Sequence, residues 1–323
     1  MFLAERSGRI AGRIAAIHNR AHNDYHGDRT GFFGFFECED EDSEAANKLL
    51  SAAEQWLLDR NLETIRGPVN PSMNSECGVL IYGFDSPPLA LMPYNPPSYS
   101  ALLENAGLEK IKDLFSYAVR QDRLSPGQQA HDRLSRSANL LARRYPGVSV
   151  RSLNMKNLKN DILRFLPVFE EARRNNWGYV PLTGAEVMEM IRDFRNIVDP
   201  EIVILAEVDG DPAGISMAMP NINIGLSKIN GRLFPFGFLK FKKAMRNISQ
   251  MRIFGIASLE KYRHLGITAR LLNEIILRGS AKGYLTGEAS WILEDNLNSN
   301  RMIQNLLAPK HSKTYRIYQK KIS

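Results

Sequence analysis

The apolar and polar positions of the second half of the chain alternate between two periods. Strand-length apolar runs stand at 150–153, 202–208, 213–220, 251–258, 286–293 and 314–319. Between them, apolar residues recur at helical spacing around 159–175, 184–197, 268–282 and 296–307. The clearest case puts Leu271, Leu272, Ile275 and Ile276 on one face. Mixed strands with interleaved helices predict an α/β (α+β) layered architecture. In the first half a strand at 31–37 and an amphipathic helix at 45–59 begin the same alternation.

The pattern also repeats itself. FLAERSGRIAGRIAAIHN near the start matches ILAEVDGDPAGISMAMPN downstream at a constant offset. The pairs are Leu3/Leu205, Ala4/Ala206, Glu5/Glu207, Gly8/Gly210, Gly12/Gly214, Ala16/Ala218 and Asn19/Asn221. Each copy predicts a β-hairpin turning at Ser7-Gly8 or Asp209-Gly210. A duplicated domain follows, and the first copy, which begins at its hairpin, has no counterpart of residues 150–201. The expected organisation is a shortened domain at 1–121, a polar, helix-prone connector at 122–148 with Pro126 and Pro146 near its ends, and a second domain at 149–323.

Composition changes this picture little. With 323 residues, 44% apolar and 24% charged, the chain can bury two cores of ordinary size. Glu5, Arg6 and Arg9 interrupt the N-terminus, so it lacks the apolar core of a signal peptide, and no apolar run is long enough for a membrane span. Cys38 and Cys77 cannot build a disulfide framework, and a cytoplasmic setting is expected. The net charge of +7 is interspersed with acids, which argues against a nucleic-acid stripe. Two denser basic segments stand out: Arg133, Arg136, Arg143 and Arg144, and the stretch from Lys228 through Lys240, Lys242, Lys243 and Arg246 to Arg252. The latter, FPFGFLKFKKAMRNI, reads either as an interfacial helix touching membrane or an acidic carrier protein, or as an insertion packing on its own domain.

Candidate chemistry concentrates at Arg263-His264-Leu265-Gly266-Ile267-Thr268-Ala269, between a buried strand and an amphipathic helix. Free N–H groups at a helix start, with the helix dipole, attract anions. Gly266 permits positive φ or close approach, the neighbouring residues are small, and Arg263 adds a bidentate donor for phosphate.

Here the chain resembles the GNAT superfamily of N-acetyltransferases, whose Arg/Gln-x-x-Gly-x-Gly/Ala loop cradles the pyrophosphate of acetyl-CoA. Thr268 stands where the family has Gly or Ala. The full chain resembles bacterial proteins with two tandem GNAT-like halves. The resemblance implies two tandem domains, each a mixed, mostly antiparallel sheet flanked by helices, the N-terminal one truncated. It implies acetyl-CoA as co-substrate, with Ile256, Ala257 and Ser258 along its pantetheine arm and Arg263 to Ala269 at its pyrophosphate. Asn296 and Asn300 read either as cofactor contacts or as helix caps. For catalysis, Glu294 is the first candidate base and Glu288 the second. The family's acid, a Tyr seven residues after the Asn, falls on Leu307; Tyr315 is either its substitute or core packing. The function expected is transfer of an acetyl group to a primary amine of a small molecule or peptide. The alternatives are a non-catalytic acyl-CoA-binding or regulatory module, and an acyltransferase associated with a carrier protein or membrane.

In the first half, the place of the phosphate loop is taken by Glu39-Asp40-Glu41-Asp42-Ser43-Glu44, whose carboxylates would repel a pyrophosphate. That copy is not expected to hold CoA in the usual way. The Pro- and Asn-rich stretches 67–78 and 92–99 read as recognition loops or simply as turns. Tyr99 with Gly107 echoes the Tyr and Gly of the family's last helix. His18, His22 and His26 stand four apart, but the repeat places them after a hairpin strand, where the spacing does not converge; no metal site is expected.

Overall fold

The computed structural model describes residues 1–120, 126–307 and 309–322. Part of the expected connector, 122–125, lies outside the described residues, as do 121, 308 and 323. The first half runs β1 (Phe2–Arg6), β2 (Arg9–Ile17), α1 (Arg20–His26), β3 (Thr30–Cys38), α2 (Ser43–Leu58) and β4 (Thr64–Gly67). Short strands β5 (Val69–Asn70), β6 (Glu76–Cys77) and β7 (Val79–Tyr82) follow, then α3 (Tyr99–Asn105) and β8 (Glu109–Arg120). After α4 (Pro126–Arg144) come β9 (Val148–Ser152), α5 (Leu158–Arg173), α6 (Gly184–Ile197), β10 (Val203–Val208) and β11 (Asp211–Pro220). A helical turn α7 (Asn223–Leu226) and α8 (Gly237–Met245) precede β12 (Gln250–Ser258), α9 (Ile267–Ala281), β13 (Thr286–Leu293), α10 (Leu297–Leu307) and β14 (Lys310–Lys321).

The two repeat hairpins fold alike in detail. Ala4 pairs with Gly12 and Ala206 with Gly214, and in both the register slips immediately afterwards, before Glu5 and before Glu207. Both turns take positive φ at two consecutive residues: 51° and 78° at Ser7-Gly8, 50° and 89° at Asp209-Gly210. That geometry matches the twist of the flanking strands.

Among the described residues twelve strands form one sheet, ordered β1-β2-β3-β4-β14-β8-β13-β12-β11-β10-β9, with β7 also on β14. Each half contributes one parallel pair, β3/β4 and β12/β13. The final strands change places. Strand β8 of the first half lies antiparallel to β13, while β14 lies antiparallel to β4, and the two pair with each other from Lys310↔Ala118 to Gln319↔Glu109. An ion cluster fixes this crossing: Arg316 grips both carboxylate oxygens of Asp113 at 2.8 and 3.1 Å, and Lys110 adds a third contact at 2.8 Å. These cations together hold the Asp113 carboxyl below the usual range against the opposing effect of burial.

Alternation on β10 divides the second half into two cores. Ile204 and Ala206 face α4, α9 and α10, while Val203 and Leu205 face α5 and its neighbours. In α9, Leu271, Leu272 and Ile275 are fully buried, so truncating one to Ala costs about 2–5 kcal/mol. Helix α4, within the expected connector, is pinned to α9: Leu134 is buried, and the Ser135 hydroxyl donates to Asn273 Oδ1 at 2.7 Å. A separate cluster joins Phe32, Leu293 and Tyr315 to Val69, Leu80 and Met92 of the segment 68–98, where the halves meet.

One sequence expectation is corrected. Asn19 accepts the His22 N–H and Gly27 closes the turn in the left-handed region, so a helix, α1, forms after the hairpin strand. His22 and His26 therefore do converge, with ring centroids 4.4 Å apart.

Candidate active site

The second half's parallel pair is short. Strands β12 and β13 pair from Gln250↔Thr286 to Ile253↔Ala289, and then part. Beyond that point β12 keeps its bonds to β11, while β13 stays paired with β8, the register slipping between Ala289↔Tyr117 and Ile292↔Phe115. The edge of β12 that carries Ile256, Ala257 and Ser258 thus borders a gap.

At the end of β12, Glu260–Leu265 makes a tight helical turn, Gly266 adopts φ 69°, and α9 begins at Ile267. Arg263 is exposed and lies 3.5 Å from Glu260. The Thr268 hydroxyl is 3.1 Å from that of Ser258, tying the loop to the strand. Gly266 has a second reason to be glycine. A Cβ there would overlap the Leu141 side chain of α4. Sequence reasoning missed Arg270, in the first turn of α9: its Nη1 is buried and finds no hydrogen-bond partner among the described residues. A helix start with free N–H groups, an exposed arginine and a second arginine with an unused donor suits a pyrophosphate.

The residues expected beyond β13 are tied together differently. Glu294 accepts from Lys110 Nζ at 2.7 Å and from the Asp113 N–H at 3.0 Å, and Asp295 pairs with Lys112 at 2.7 Å. Asn296 Oδ1 caps α10 through the Ser299 N–H at 3.1 Å. Asn300 is buried, donating to the carbonyls of Leu293 and Asn296 and accepting from the Tyr117 hydroxyl at 2.9 Å. These contacts fasten the end of β13 to α10 and β8.

Glu288 and Tyr315, by contrast, share one buried polar neighbourhood with Arg252, close to where β12 and β13 part. Glu288 is the register partner of Arg252 across β12/β13. Its Oε2 accepts from the Ser312 hydroxyl at 3.2 Å and lies 3.6 Å from Lys313 Nζ, while Oε1 has no partner among the described residues. The Tyr315 hydroxyl is fully buried and likewise unpartnered. Burial, followed by the nearby charge of Glu288, raises its pKa, so it keeps its proton at neutral pH. Arg252 donates to Ser290 Oγ (3.0 Å) and to the carbonyls of Ser290 (3.1 Å), Ala90 (2.9 Å) and Leu91 (3.1 Å). Burial pulls its pKa down to about 10, against the attraction of Glu288. Lys313 Nζ donates to Ser86 Oγ at 2.7 Å. Through these bonds the first-half segment 86–91 becomes a strap across a cluster built on β12, β13 and β14. Nothing in the sequence links Arg252 or residues 86–91 to Glu288, and only the pairing of strands does so.

At the corresponding place among the described residues, the first half has no carboxylate–tyrosine pair; its buried polar group is His22, 3.5 Å from Asp28. Its corresponding parallel pair ends at Phe32↔Arg66, where the second half has Arg252↔Glu288. Its gap is filled by the chain itself: Asn70 Oδ1 accepts the Phe35 N–H at 2.7 Å, and a Cβ on Gly34 would overlap the Val69 carbonyl. Asp42 accepts the Ala45 N–H at 3.0 Å and binds Arg6 at 2.8 Å. Tyr99 donates to Glu37 and accepts from the Cys38 N–H at 2.9 Å.

Similarity places this architecture. The chain is 32% identical to the bacterial ceramide synthase of Caulobacter vibrioides over 99% of its own length and 83% of that protein's. The chain belongs to that protein's family. It is also 31% identical to protein YghO of Escherichia coli K12, over 99% of this chain and 82% of that one. No family model matches it. Among solved structures, it superposes on a GCN5-related N-acetyltransferase from Sphaerobacter thermophilus with a TM-score of 0.56 at 16% identity, covering 98% of this chain and 78% of that one. The tandem GNAT protein of the clavulanic acid biosynthesis pathway gives 0.56 at 13% identity, with 99% and 82% covered. The fold is that of the GNAT superfamily, in tandem. Among the described residues no helix is long and apolar enough to cross a membrane.

Proposed function

We propose that this protein is an N-acyltransferase that moves a fatty acyl group from acyl-CoA to the amine of a long-chain amino alcohol, giving a ceramide-type amide. The expectation of an acetyl group and a small-molecule or peptide amine gives way to this reading, because the chain's relative is a ceramide synthase. The observation that carries it is the pair of buried, unpartnered oxygens, Glu288 Oε1 and Tyr315 Oη, close to where β12 and β13 part. Amide formation requires a base for the ammonium proton and an acid for the departing thiolate. Glu288 is the base in this reading and Tyr315, held in its protonated form, is the acid. Arg252 is a positioning residue: it fixes Ser290 and the 90–91 carbonyls around the carboxylate. Arg263, Arg270 and the N–H groups at the start of α9 hold the pyrophosphate. The atoms balance: the ammonium gives one proton to Glu288, which passes it to solvent, the thioester C–S bond breaks as the C–N bond forms, and Tyr315 protonates the departing sulfur and is restored by the second proton from nitrogen.

The test is release of free CoA thiol, with amide identified by mass spectrometry, from the purified chain given acyl-CoA of graded length and a 2-amino-1,3-diol of long chain. Thiol release that needs both substrates and improves with acyl length is the expected result. CoA binding with no thiol release from any pair would instead leave a non-catalytic acyl-CoA-binding module.

A further inference from the structure

Residues 212–259 hold seven Lys or Arg and not one Asp or Glu, so the chain's whole excess of +7 arises there and the remainder is balanced. Arg252 is buried in the cluster described above; the other six cations, Lys228, Arg232, Lys240, Lys242, Lys243 and Arg246, are exposed. They surround an apolar display that soluble surfaces rarely carry in one place. Phe234 is 85% exposed, Phe236 66%, Leu239 62% and Phe238 54%.

This segment is held in place by its inner face. Phe241 and Met245 of α8 close on Gly225 of α7, and Gly237 is buried against the Arg232 carbonyl. The inner positions of α8 are therefore satisfied by its own domain. Its outer positions, Phe238, Leu239, Lys242 and Lys243, mix large apolar groups with cations, and the run 230–236 is exposed at every residue. That combination suits the boundary of a bilayer, where apolar side chains sink roughly 5–10 Å and lysines remain among anionic headgroups. Lipid can envelop a run that is exposed at every residue, whereas a folded acidic partner would cover one side of it.

The platform also adjoins the candidate site. Asn223 of α7 donates to the Pro88 carbonyl at 3.0 Å, and the next residues of that strap, Ala90 and Leu91, receive Arg252. Leu91 itself is half exposed beside it.

We propose that residues 223–246 dock on an anionic lipid bilayer and present the amphiphilic amine of the reaction to the strap over Glu288 and Tyr315. The delivery step rests on the acyltransfer reading above, while the attachment rests on charge and exposure alone.

Co-sedimentation of the full chain with phosphatidylcholine vesicles, with and without about 30 mol% phosphatidylglycerol, tests the attachment. Binding is expected to the anionic vesicles and to weaken as salt rises. Lys240→Gln/Lys242→Gln/Lys243→Gln should lower the partition coefficient roughly a hundredfold, about fivefold for each lysine. Phe234→Ser/Phe236→Ser/Phe238→Ser should lower it at least as much. All six side chains are exposed, so unchanged melting temperatures will verify that both variants fold. Undiminished vesicle binding in both variants, or no binding by the wild type at low salt, would overturn the proposal. So would capture by an acidic acyl carrier protein without vesicle binding, which assigns the platform to a protein partner. Acylation separates the two claims. The variants should lose turnover of vesicle-borne amine while keeping turnover of a short, water-soluble amine. Vesicle binding without any acylation would sink the reaction assigned above and leave the docking intact.

Discussion

Helices α2 and α9 leave the sheet at corresponding points of the two halves, and their first turns are built from opposite chemistry. At α2 the chain brings its own anion: Asp42 accepts the Ala45 N–H, and Arg6 neutralises Asp42 and Glu44 from outside. At α9 no side chain caps the helix, and the cations Arg263 and Arg270 stand by its start. One sheet position further in, Phe32 and Arg66 occupy the register that Arg252 and Glu288 hold in the second half. Duplication supplied two copies of one architecture. The first spends its helix end and its strand gap on internal bonds, and its segment 86–91 serves as a strap for the second.

The contrast can be broken most decisively at the register pair. Glu288→Gln should lower kcat about 10²–10⁴-fold with little change in acyl-CoA affinity, whereas Arg66→Gln should stay within about threefold of wild type. Steady-state kinetics with CoA titration read both, and comparable losses in the two variants would abolish the distinction between the halves. A second, smaller effect concerns the helix ends. Arg263→Glu should weaken CoA binding roughly a hundredfold by calorimetry, through loss of charge-assisted bonds and added repulsion. Asp42→Ala should leave CoA binding unchanged and lower the melting temperature through the lost cap.

Gly266 sharpens the comparison further. Gly266→Ala places a methyl in the left-handed region and against Leu141, so a loss of about 1–3 kcal/mol in denaturant unfolding is expected. Adding Leu141→Ala should recover part of the coupling if packing on α4 contributes, and none if the cost is purely backbone strain.

A pH-dependent contrast belongs to His22 in the first half. Burial lowers its pKa to about 4, a change that the Asp28 charge only partly opposes. Between that value and about 6.5 the unfolded chain binds more protons, so stability is full above the window and falls as pH drops through it. His22→Phe should flatten this slope by up to one proton, about 1.4 kcal/mol per pH unit. An unchanged slope would place the acid sensitivity elsewhere.

Much of this was legible in the residues. The hairpin matches Ala4/Ala206 and Gly12/Gly214 reappear as identical register slips, because a two-residue left-handed turn fixes the pairing of its strands. The period of Leu271, Leu272, Ile275 and Ile276 marked the buried face of α9. Helix α1 was legible too, in the spacing of Asn19 and Gly27 as caps, and was missed by extending the repeat one element too far.

The site divides on the same line. Local sequence determined the anion-ready start of α9, since N–H groups, a left-handed glycine and a nearby arginine are all set within a few residues. It also determined the basic, aromatic segment at 228–246. Tertiary structure alone decided which carboxylate stands where. The exchange of β8 and β14 gives Glu294 to Lys110 and Asp113, while the β12/β13 register sets Glu288 opposite Arg252, and β14 brings Lys313 to it. Strand partners far apart in sequence are selected by the packing of the whole sheet, and the period-two pattern of a single strand carries no record of which neighbour it will meet.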